Sequence, residues 1–279
     1  MNKYAVFTMD VEAFSDAECL KNKTYKCIDE MFDGIDNYLT LLDKYSIKSN
    51  LFVVANNIDF IEDKLKAAVK NGHKIGIHGL THTPSVLLTN KDFKYEILEA
   101  KRILEERLNT EVDGYRAPCF SINDDKIDIL NECGITFDSS YLNNSYTYYH
   151  GKLKLEEFEY INKHIFKKDN IYEFSMPVSQ KFPIGGGGYV RLFPWIFVKR
   201  FLKKYIIDEN NEVYIFYLHP FEVSNKKIPY VKHMKPYDVF YLHQNRHKSY
   251  LKRIEKIINL LIENNFEFIT FNELKDKYK

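Results

Sequence analysis

Ionisable side chains that could carry chemistry follow the ends of predicted strands along the whole chain. They are Asp10 and Glu12 after the first strand, His78 and His82 after the third, Arg116 after the fourth, Asp138 after the fifth and His219 after a late apolar strand. The carboxyl ends of parallel barrel strands open on one face, which is where such barrels do their chemistry. Residues far apart in the sequence are therefore predicted to meet in one pocket.

The pair His78-x-x-x-His82 could supply two imidazoles to a divalent metal ion. A catalytic metal needs three protein ligands and one open position, so two histidines and one carboxylate are sufficient. The same spacing recurs at His243 and His247, but that pair opens the last helix without a preceding strand. We interpret the second pair as a solvated helix start and the first as a metal site.

The third ligand is predicted to come from the sequence Asp10-Val11-Glu12. Residues two apart in an extended chain point the same way, so both acids can enter one pocket. One would be a metal ligand and the other a general base. The alternative is a pair of surface acids.

Two basic residues could complete the site. Arg116, in the sequence YRAP, can keep a neighbouring carboxylate ionised and oriented. His219, with a carboxylate such as Asp138 beside it, could act as a general acid near neutral pH. A structural ion pair for the arginine and a core position for the histidine are the alternatives.

Apolar strand-like runs alternate with amphipathic helical periods from end to end. The predicted strands are 4–9, 50–54, 73–77, 112–115, 135–138, 171–178, 213–218 and 266–271, and the predicted helices are 29–45, 60–70, 91–108, 124–133, 195–206 and 250–264. This alternation predicts an α/β fold with a parallel sheet and right-handed crossovers, either an open doubly wound sheet or a barrel. Residues 1–279 are predicted to form one domain, in which the polar segment 142–170 is an insertion or a long loop.

The composition of the chain argues against several classes of protein. The chain has 40 basic and 39 acidic residues among 279, a net charge of +1, which argues against nucleic-acid binding driven by bulk charge. No run of eighteen apolar residues predicts a transmembrane segment, and the N-terminus lacks a secretory pattern, so a cytoplasmic location is expected. The four cysteines suggest neither a zinc knuckle nor a disulfide framework. Nothing in the sequence indicates an oligomeric state.

The four consecutive glycines at 185–188 do not fit a phosphate-binding loop, and no G-x-S-x-G elbow is present. They are predicted to form a flexible rim beside the cleft, and Tyr189 and Trp195 could either stack on a bound ligand or pack in the core.

Five segments in order, FTMDVE, HGLTH, YRAPCFS, FDSSY and FYLHPFE, resemble the five motifs of the polysaccharide deacetylase family, also called the NodB-homology family or carbohydrate esterase family four. The tract GGGGYVRLFPW, followed by YLHPFE, resembles a subgroup found with bacterial exopolysaccharide and capsule synthesis. The resemblance implies a single distorted (β/α) barrel with about seven parallel strands. It also implies a carbohydrate N-deacetylase, a hydrolase that acts on an amino sugar of a bacterial glycan, glycan precursor or sugar conjugate.

By this resemblance, His78 and His82 hold zinc, with cobalt or nickel as alternatives, together with an acid of the first motif. Asp10 is the general base that activates a water held by the metal, and Arg116 orients Asp10. The family has two adjacent acids here, whereas Val11 takes the second place in this chain and Glu12 follows. Either Glu12 or Asp10 then binds the metal, or the site is poor in metal.

The remaining roles concern the leaving group and the substrate. His219 would protonate the leaving amine with Asp138 as its partner, and the backbone N–H of Cys119 would help to hold the oxyanion. Leu218 would face the acetyl methyl group. The substrate-binding residues implied are Cys119, Phe120, Tyr141 and Leu218.

Two other functions stay open. The altered first motif is compatible with a C–N hydrolase of the same fold that acts on a formamide or a cyclic ureide, with or without a metal. A catalytically silent sugar-binding barrel is the third hypothesis.

Overall fold

The buried apolar run KYAVFTMDV forms β1, the strand around which the sheet is built. The computed structural model describes residues 2–20, 23, 30–142 and 151–279. The strands described are β1 (Lys3–Val11), β2 (Ser49–Val53), β3 (Lys74–Ile77), β4 (Gly114–Tyr115), β5 (Phe137–Asp138), β6 (Glu159–Asn162), β7 (Ile165–Lys168), β8 (Ile171–Phe174), β9 (Val178–Ser179), β10 (Phe182–Pro183), β11 (Val213–Phe216) and β12 (Phe266–Phe268).

Helices connect these strands and pack apolar faces on the sheet. They are α1 (Asp33–Asp43), α2 (Ile58–Lys70), α3 (Asn90–Leu108), α4 (Asp124–Glu132), α5 (Gly187–Leu192), α6 (Trp195–Ile207), α7 (Pro220–Val223), α8 (Pro236–His243), α9 (Lys248–Ile262) and α10 (Phe271–Lys277). In α2, for example, Ile58, Ile61, Leu65 and Ala68 are buried at intervals of three or four residues, the period that lines one face of a helix.

The main sheet has the strand order β11-β1-β2-β3-β4-β5-β8-β7-β6, and β12 pairs with the first half of β1. Every pairing from β11 to β8 is parallel. The predicted α/β class and the predicted number of parallel strands are therefore confirmed. The carboxyl ends of these strands lie along one edge, which is where the candidate catalytic residues follow.

The two faces of β1 belong to different hydrophobic clusters. Ala5, Phe7, Met9 and Val11 pack in the cluster that includes the buried faces of α1, α2, α3 and α9. The even-numbered residues of β1 point the opposite way, into an aromatic cluster formed by the inner sheet face and α10. The same alternation decides which side chains at the carboxyl end of β1 point to the inner face of the sheet.

Some segments differ from the sequence predictions. Within 142–170, residues 159–168 form the antiparallel strands β6 and β7 rather than a long loop, and residues 143–150 lie outside the described part of the chain. The glycine run is only partly a loop, since α5 begins at Gly187. The short helices α7, α8 and α10 were not predicted. Among the described residues no helix is long and apolar enough to cross a bilayer.

Candidate active site

A cavity of about 580 Å³ opens where the parallel strands end. Its lining includes the three predicted metal ligands, two of the four predicted catalytic residues and two of the predicted substrate-binding residues. They come from four separate segments of the chain: Asp10, Glu12, His78, His82, Cys119, Phe120 and His219. Asp10 and Glu12 reach it together because they share the inward face at the carboxyl end of β1, while Val11 between them packs under the helices. The predicted pocket is therefore present.

Glu12, His78 and His82 form a cluster whose potential ligand atoms all lie within 4.8 Å of one another. A carboxylate oxygen of Glu12 lies 2.7 Å from Nε2 of His82 and 3.8 Å from Nε2 of His78. Nδ1 of His78 lies 2.8 Å from the backbone carbonyl of Arg116, so this nitrogen donates and Nε2 presents its lone pair to the cavity. A borderline-soft divalent cation such as zinc takes this set of donors. The residues present thus fit a catalytic metal.

The electrostatics of this cluster favour an ionised carboxylate. Burial alone would raise the pKa of Glu12, but the charges of His82 and His219, the neighbouring imidazole of His78 and the hydrogen bond from His82 hold it well below its usual value. Burial would lower the pKa of His82, and Glu12 reverses that effect and raises it. Glu12 is therefore a permanent negative charge facing two imidazoles.

Asp10 is held by a different partner. Its Oδ1 accepts a hydrogen bond of 2.8 Å from Nη1 of Arg116, and both side chains are buried. The guanidinium also donates to Oγ1 of Thr8 and to the backbone oxygen and Oγ of Ser139, and it lies 4.4 Å from the ring centre of Phe52. With its donors engaged on several sides, Arg116 keeps Oδ1 of Asp10 fixed, and Asp10 lines the cavity.

His219 has a partner that the sequence prediction did not identify. Its Nδ1 lies 3.1 Å from Oε2 of Glu222, and the same oxygen accepts the backbone N–H of His219 at 3.0 Å. The other oxygen of Glu222 accepts a 2.7 Å bond from Nε of the fully buried Arg191. Burial would lower the pKa of His219, but Glu12 and Glu222 raise it to about 9. The imidazole is thus held in one orientation, with Nε2 towards Glu12 at 4.0 Å.

The prediction that Asp138 is the partner of His219 is wrong. Asp138 is fully buried and accepts a 2.6 Å bond from Oγ of Ser140. It lies directly across from Glu173 in the parallel register of β5 and β8. Burial raises the pKa of both acids, and the neighbouring Asp138 raises that of Glu173 further. Asp138 therefore belongs to the support of the strand ends and not to the cavity wall.

The predicted substrate-binding residues divide into two groups. Cys119 and Phe120 line the cavity from the turn Pro118–Phe120, where both have left-handed backbone (φ 57° and 54°). Leu218 does not line it, because residues of β11 alternate and Leu218 packs under the helices, while Tyr217 faces the cavity. Tyr141 packs against that same outer cluster and is not one of the described lining residues.

The second histidine pair does not form a comparable site. His243 is the exposed last residue of α8 and His247 immediately precedes α9, close to the predicted helix start. Over the described residues, the cluster of Glu12, His78 and His82 is the one group that brings three metal-ligating side chains together.

Comparison with protein families accounts for most of the chain in two parts. Residues 21–137 match the model of the polysaccharide deacetylases, and residues 143–276 match a domain of unknown function, DUF3473. Residues 21–137 are thus similar to the polysaccharide deacetylases. The family match begins after the first motif and ends before the fifth, so the structure is what joins Asp10, Glu12 and His219 to the family segment.

Individual relatives are distant. A peptidoglycan deacetylase of Helicobacter pylori is 26% identical over 117 residues, which is 42% of this chain and 40% of that protein, so the chain matches less than half of this relative's length. The fold resembles that of the Puue allantoinase (TM-score 0.66, 13% identity, 98% and 89% of the two chains). It also resembles a family pseudoenzyme from Bacillus anthracis (TM-score 0.54, 13% identity, 98% and 66%). At these identities the two structures support the fold alone.

Proposed function

We propose that this protein is a metal-dependent hydrolase that removes the acetyl group from an N-acetylated amino sugar in a glycan, a glycan precursor or a sugar conjugate. The observation that carries the proposal is the convergence of three separately held groups on one cavity. These are the cluster of Glu12, His78 and His82, the carboxylate of Asp10 fixed by Arg116, and the imidazole of His219. The H. pylori relative, named a peptidoglycan deacetylase, supports an N-acetylated glycan as the substrate class.

Glu12, His78 and His82 would hold a divalent cation, zinc being the one whose preferred ligands match best. When bound, such a cation polarises the substrate carbonyl and lowers the pKa of a water molecule beside it. Glu12 is better suited than Asp10 to be the carboxylate ligand, because it lies against both imidazoles while Asp10 lies against a guanidinium.

Asp10 would then act as the general base. Arg116 holds one of its oxygens, which prevents the side chain from turning away and leaves the second oxygen to accept a proton from water. The buried contacts of Arg116 with Thr8 and Ser139 mean that the base needs no rearrangement before it acts. Fixed orientation of this kind is a large part of what an active site contributes to rate.

His219 would act as the general acid. The carboxylate of Glu222 beside its Nδ1 favours the imidazolium form. Its Nδ1–H is committed to Glu222, so the proton on Nε2 is the one that can pass to the nitrogen of the breaking amide. The products are acetate and a sugar with a free amino group.

The test is acetate release by the purified protein after chelation and reloading with zinc, cobalt or nickel. Substrates would be chitin-type and peptidoglycan-type oligosaccharides and N-acetylated nucleotide sugars, with His219→Gln as the inactive control. Metal-dependent acetate release that the control loses would support the proposal. A folded, metal-loaded protein that releases no acetate from any of these substrates would refute it.

A second candidate reaction is the hydrolysis of a formamide or a cyclic ureide. It is compatible with the first motif of this chain, in which Val11 separates Asp10 from Glu12. The same experiment includes both compounds, each with and without chelator. Turnover of either compound that persists in chelator would favour this alternative, because the metal cluster would then be dispensable.

A further inference from the structure

The outward face of α6 carries large apolar and basic side chains together. The inner face of this helix is fixed to the main core by four buried residues: Val198, Leu202, Tyr205 and Ile206. The opposite face is exposed and consists of Ile196, Phe197, Arg200, Lys203, Lys204 and Ile207. Ile196 and Ile207 are 73% and 72% exposed, and Phe197 is 51% exposed. Phe193, just before the helix, extends the apolar surface formed by Ile196 and Phe197.

The charge of this helix has one sign. Lys199, Arg200, Lys203 and Lys204 give it four positive charges, and residues 195–207 include neither Asp nor Glu. In the described part of the chain, ion pairs join lysines and arginines of α2 and α3 to acids, and none involves a cation of α6. The outward face of α6 therefore presents unneutralised positive charge, although the chain as a whole has a net charge of only +1.

A cavity of about 430 Å³ between α6 and α9 continues the basic surface. Lys199 and Lys203 line it from α6, and Lys256 lines it from α9 beside a single acid, Glu263. Trp195 is half-buried, packs against the main core cluster and lies 5.4 Å from the ammonium of Lys256. Three ammonium groups against one carboxylate leave a positive field that attracts an anionic group such as a phosphate.

We propose that α6 binds the headgroup layer of an anionic lipid bilayer, with Ile196 and Phe197 at the boundary of the acyl chains and the four cations on the lipid phosphates. Helices that lie in the membrane interface combine exposed apolar side chains with Lys and Arg, and tryptophan is enriched at the headgroup level. Each basic residue near an anionic leaflet adds to the attraction. The inference goes beyond the proposed function and does not depend on it, since it concerns a surface and not the reaction.

The charge of α6 favours a bilayer over a second copy of this chain. A two-fold dimer through this face would place the same patch on both subunits, and the four cations of one copy would then face the four cations of the other. Like charges held together in this way oppose association. An anionic bilayer supplies the complementary charge and accepts the apolar side chains at the same surface.

The helix α2 offers a matched control within the same chain. Like α6 it has 13 residues and an inner face buried in the main core, and its Phe60 is 71% exposed. Its three lysines are balanced by three acids on the same helix: Asp59, Glu62 and Asp63. Exposed aromatic and basic side chains are therefore present on α2 without surplus positive charge.

The experiment measures co-sedimentation of the full chain with vesicles of two compositions. One is phosphatidylcholine alone, and the other contains about one part in three of phosphatidylglycerol, an anionic lipid. Trp195 is the only tryptophan of the chain, so intrinsic tryptophan fluorescence observes α6 directly. The charge variant is Lys203→Gln with Lys204→Gln, and the apolar variant is Ile196→Ser with Phe197→Ser. The controls on α2 are Lys66→Gln with Lys70→Gln, and Phe60→Ser.

We expect the wild type to bind the anionic vesicles at least about tenfold more tightly than the neutral ones, and less tightly as salt is added. Loss of two lysines should weaken binding by roughly 25-fold, about 5-fold for each charge. The apolar variant should weaken it by about tenfold or more, and the emission of Trp195 should shift to shorter wavelength on binding. Both α2 controls should stay within about twofold of the wild type. All substituted side chains are exposed, so thermal unfolding should show intact folding in every variant.

Several results would overturn the inference. They are absence of binding to anionic vesicles, equal binding to both compositions, α6 variants that bind as the wild type does, and α2 controls that weaken binding as much as the α6 variants. An unchanged Trp195 spectrum in vesicle-bound protein would place the contact elsewhere and would also overturn it. A wild type that sediments as a dimer, with Ile196→Ser and Phe197→Ser giving a monomer, would assign the face to a second copy instead.

Discussion

The division of labour between Glu12 and Asp10 can be tested by removing the charge of each acid separately. Glu12 lies 2.7 Å and 3.8 Å from the two imidazoles, whereas Asp10 lies 2.8 Å from Arg116. Changing an outer partner of a metal ligand typically costs 10- to 100-fold in affinity, so we expect Glu12→Gln, which removes a ligand itself, to weaken zinc binding by more than about 100-fold. Asp10→Asn should leave zinc affinity within about tenfold and lower kcat by about 10²- to 10⁴-fold, as loss of a general base does.

The assay for the metal is competition with a chromogenic chelator at one fixed pH, and the assay for the reaction is acetate release at saturating zinc. Folding must be followed as well, because Asp10→Asn leaves the guanidinium of Arg116 buried without its carboxylate. Loss of one partner of a buried pair costs about 3–5 kcal/mol. The acceptors on Thr8 and Ser139 should reduce that cost, which thermal unfolding of both variants would measure.

Similar losses of zinc affinity in the two variants would refute this reasoning, since Asp10 would then share the metal. Retained activity in a folded, zinc-loaded Asp10→Asn protein would refute the assignment of the base.

Three further outcomes follow from the described contacts. Glu222→Gln should lower kcat by about 10- to 100-fold with little change in KM in steady-state kinetics, because the general acid loses the carboxylate that orients it. If Glu222 had a purely structural role, the variant would instead yield less folded protein, with kcat per folded molecule unchanged. Burial lowers the pKa of His164 to about 4, so the unfolded chain binds its proton first and the stability that His164 contributes falls as the pH drops below 6.5. His73 has the same lowered pKa, so urea unfolding should show a loss from pH 7.5 to pH 5 in both proteins, smaller by about 2 kcal/mol in His164→Asn than in the wild type. Gly186→Ala should cost more than about 3 kcal/mol, because its Cβ would lie 2.0 Å from the carbonyl oxygen of Tyr217 at φ +118°, whereas Gly134→Ala, at φ +71° with no atom within 4 Å, should cost about 1 kcal/mol by thermal unfolding.

The parallel strands could be predicted from the sequence because they are buried on both faces and read as continuous apolar runs. The strand β6 could not, because it lies at the edge of the sheet. In β6 all four positions are exposed or half-buried, so the apolar pattern that marks an inner strand is missing. The same reason applies to α8, where only Leu242 is buried. The short helix α7 was missed for another reason, since its four residues are all buried and are too few to show a helical period.

The metal cluster was predictable for a related reason. Two residues of the same parity after a buried strand must share a face, so Asp10 and Glu12 enter the cavity together whatever the rest of the chain does. The pairing of Asp10 with Arg116 and of Glu12 with His82 was not predictable. Both basic residues follow other strands, and which acid each one contacts depends on the geometry of its side chain.

The partner of His219 shows what the sequence could not predict and also a local pattern that was overlooked. Asp138 was a plausible partner only if β5 and β11 bring their ends together, but its neighbour across the sheet is Glu173. Glu222, in contrast, is three residues from His219, with Pro220 starting the helical turn between them. A glutamate at that spacing reaches back to the N-terminus of its helix, and this local geometry needs no knowledge of the fold. The HPFE segment therefore contained the correct partner.

The presence of Tyr217 in the cavity wall, in place of the predicted Leu218, follows from the alternation of side chains along an extended strand. Val213, Ile215 and Tyr217 pack on the inner face, and Leu218 packs on the outer one with Tyr214 and Phe216. A shift of one residue reverses the side of the sheet on which a side chain lies. Because His219 lines the cavity, the residue two positions before it must face the same way, and that residue is Tyr217. An acetyl methyl group would therefore meet an aromatic ring, with Phe120 packed edge-on at 5.0 Å, rather than an aliphatic side chain.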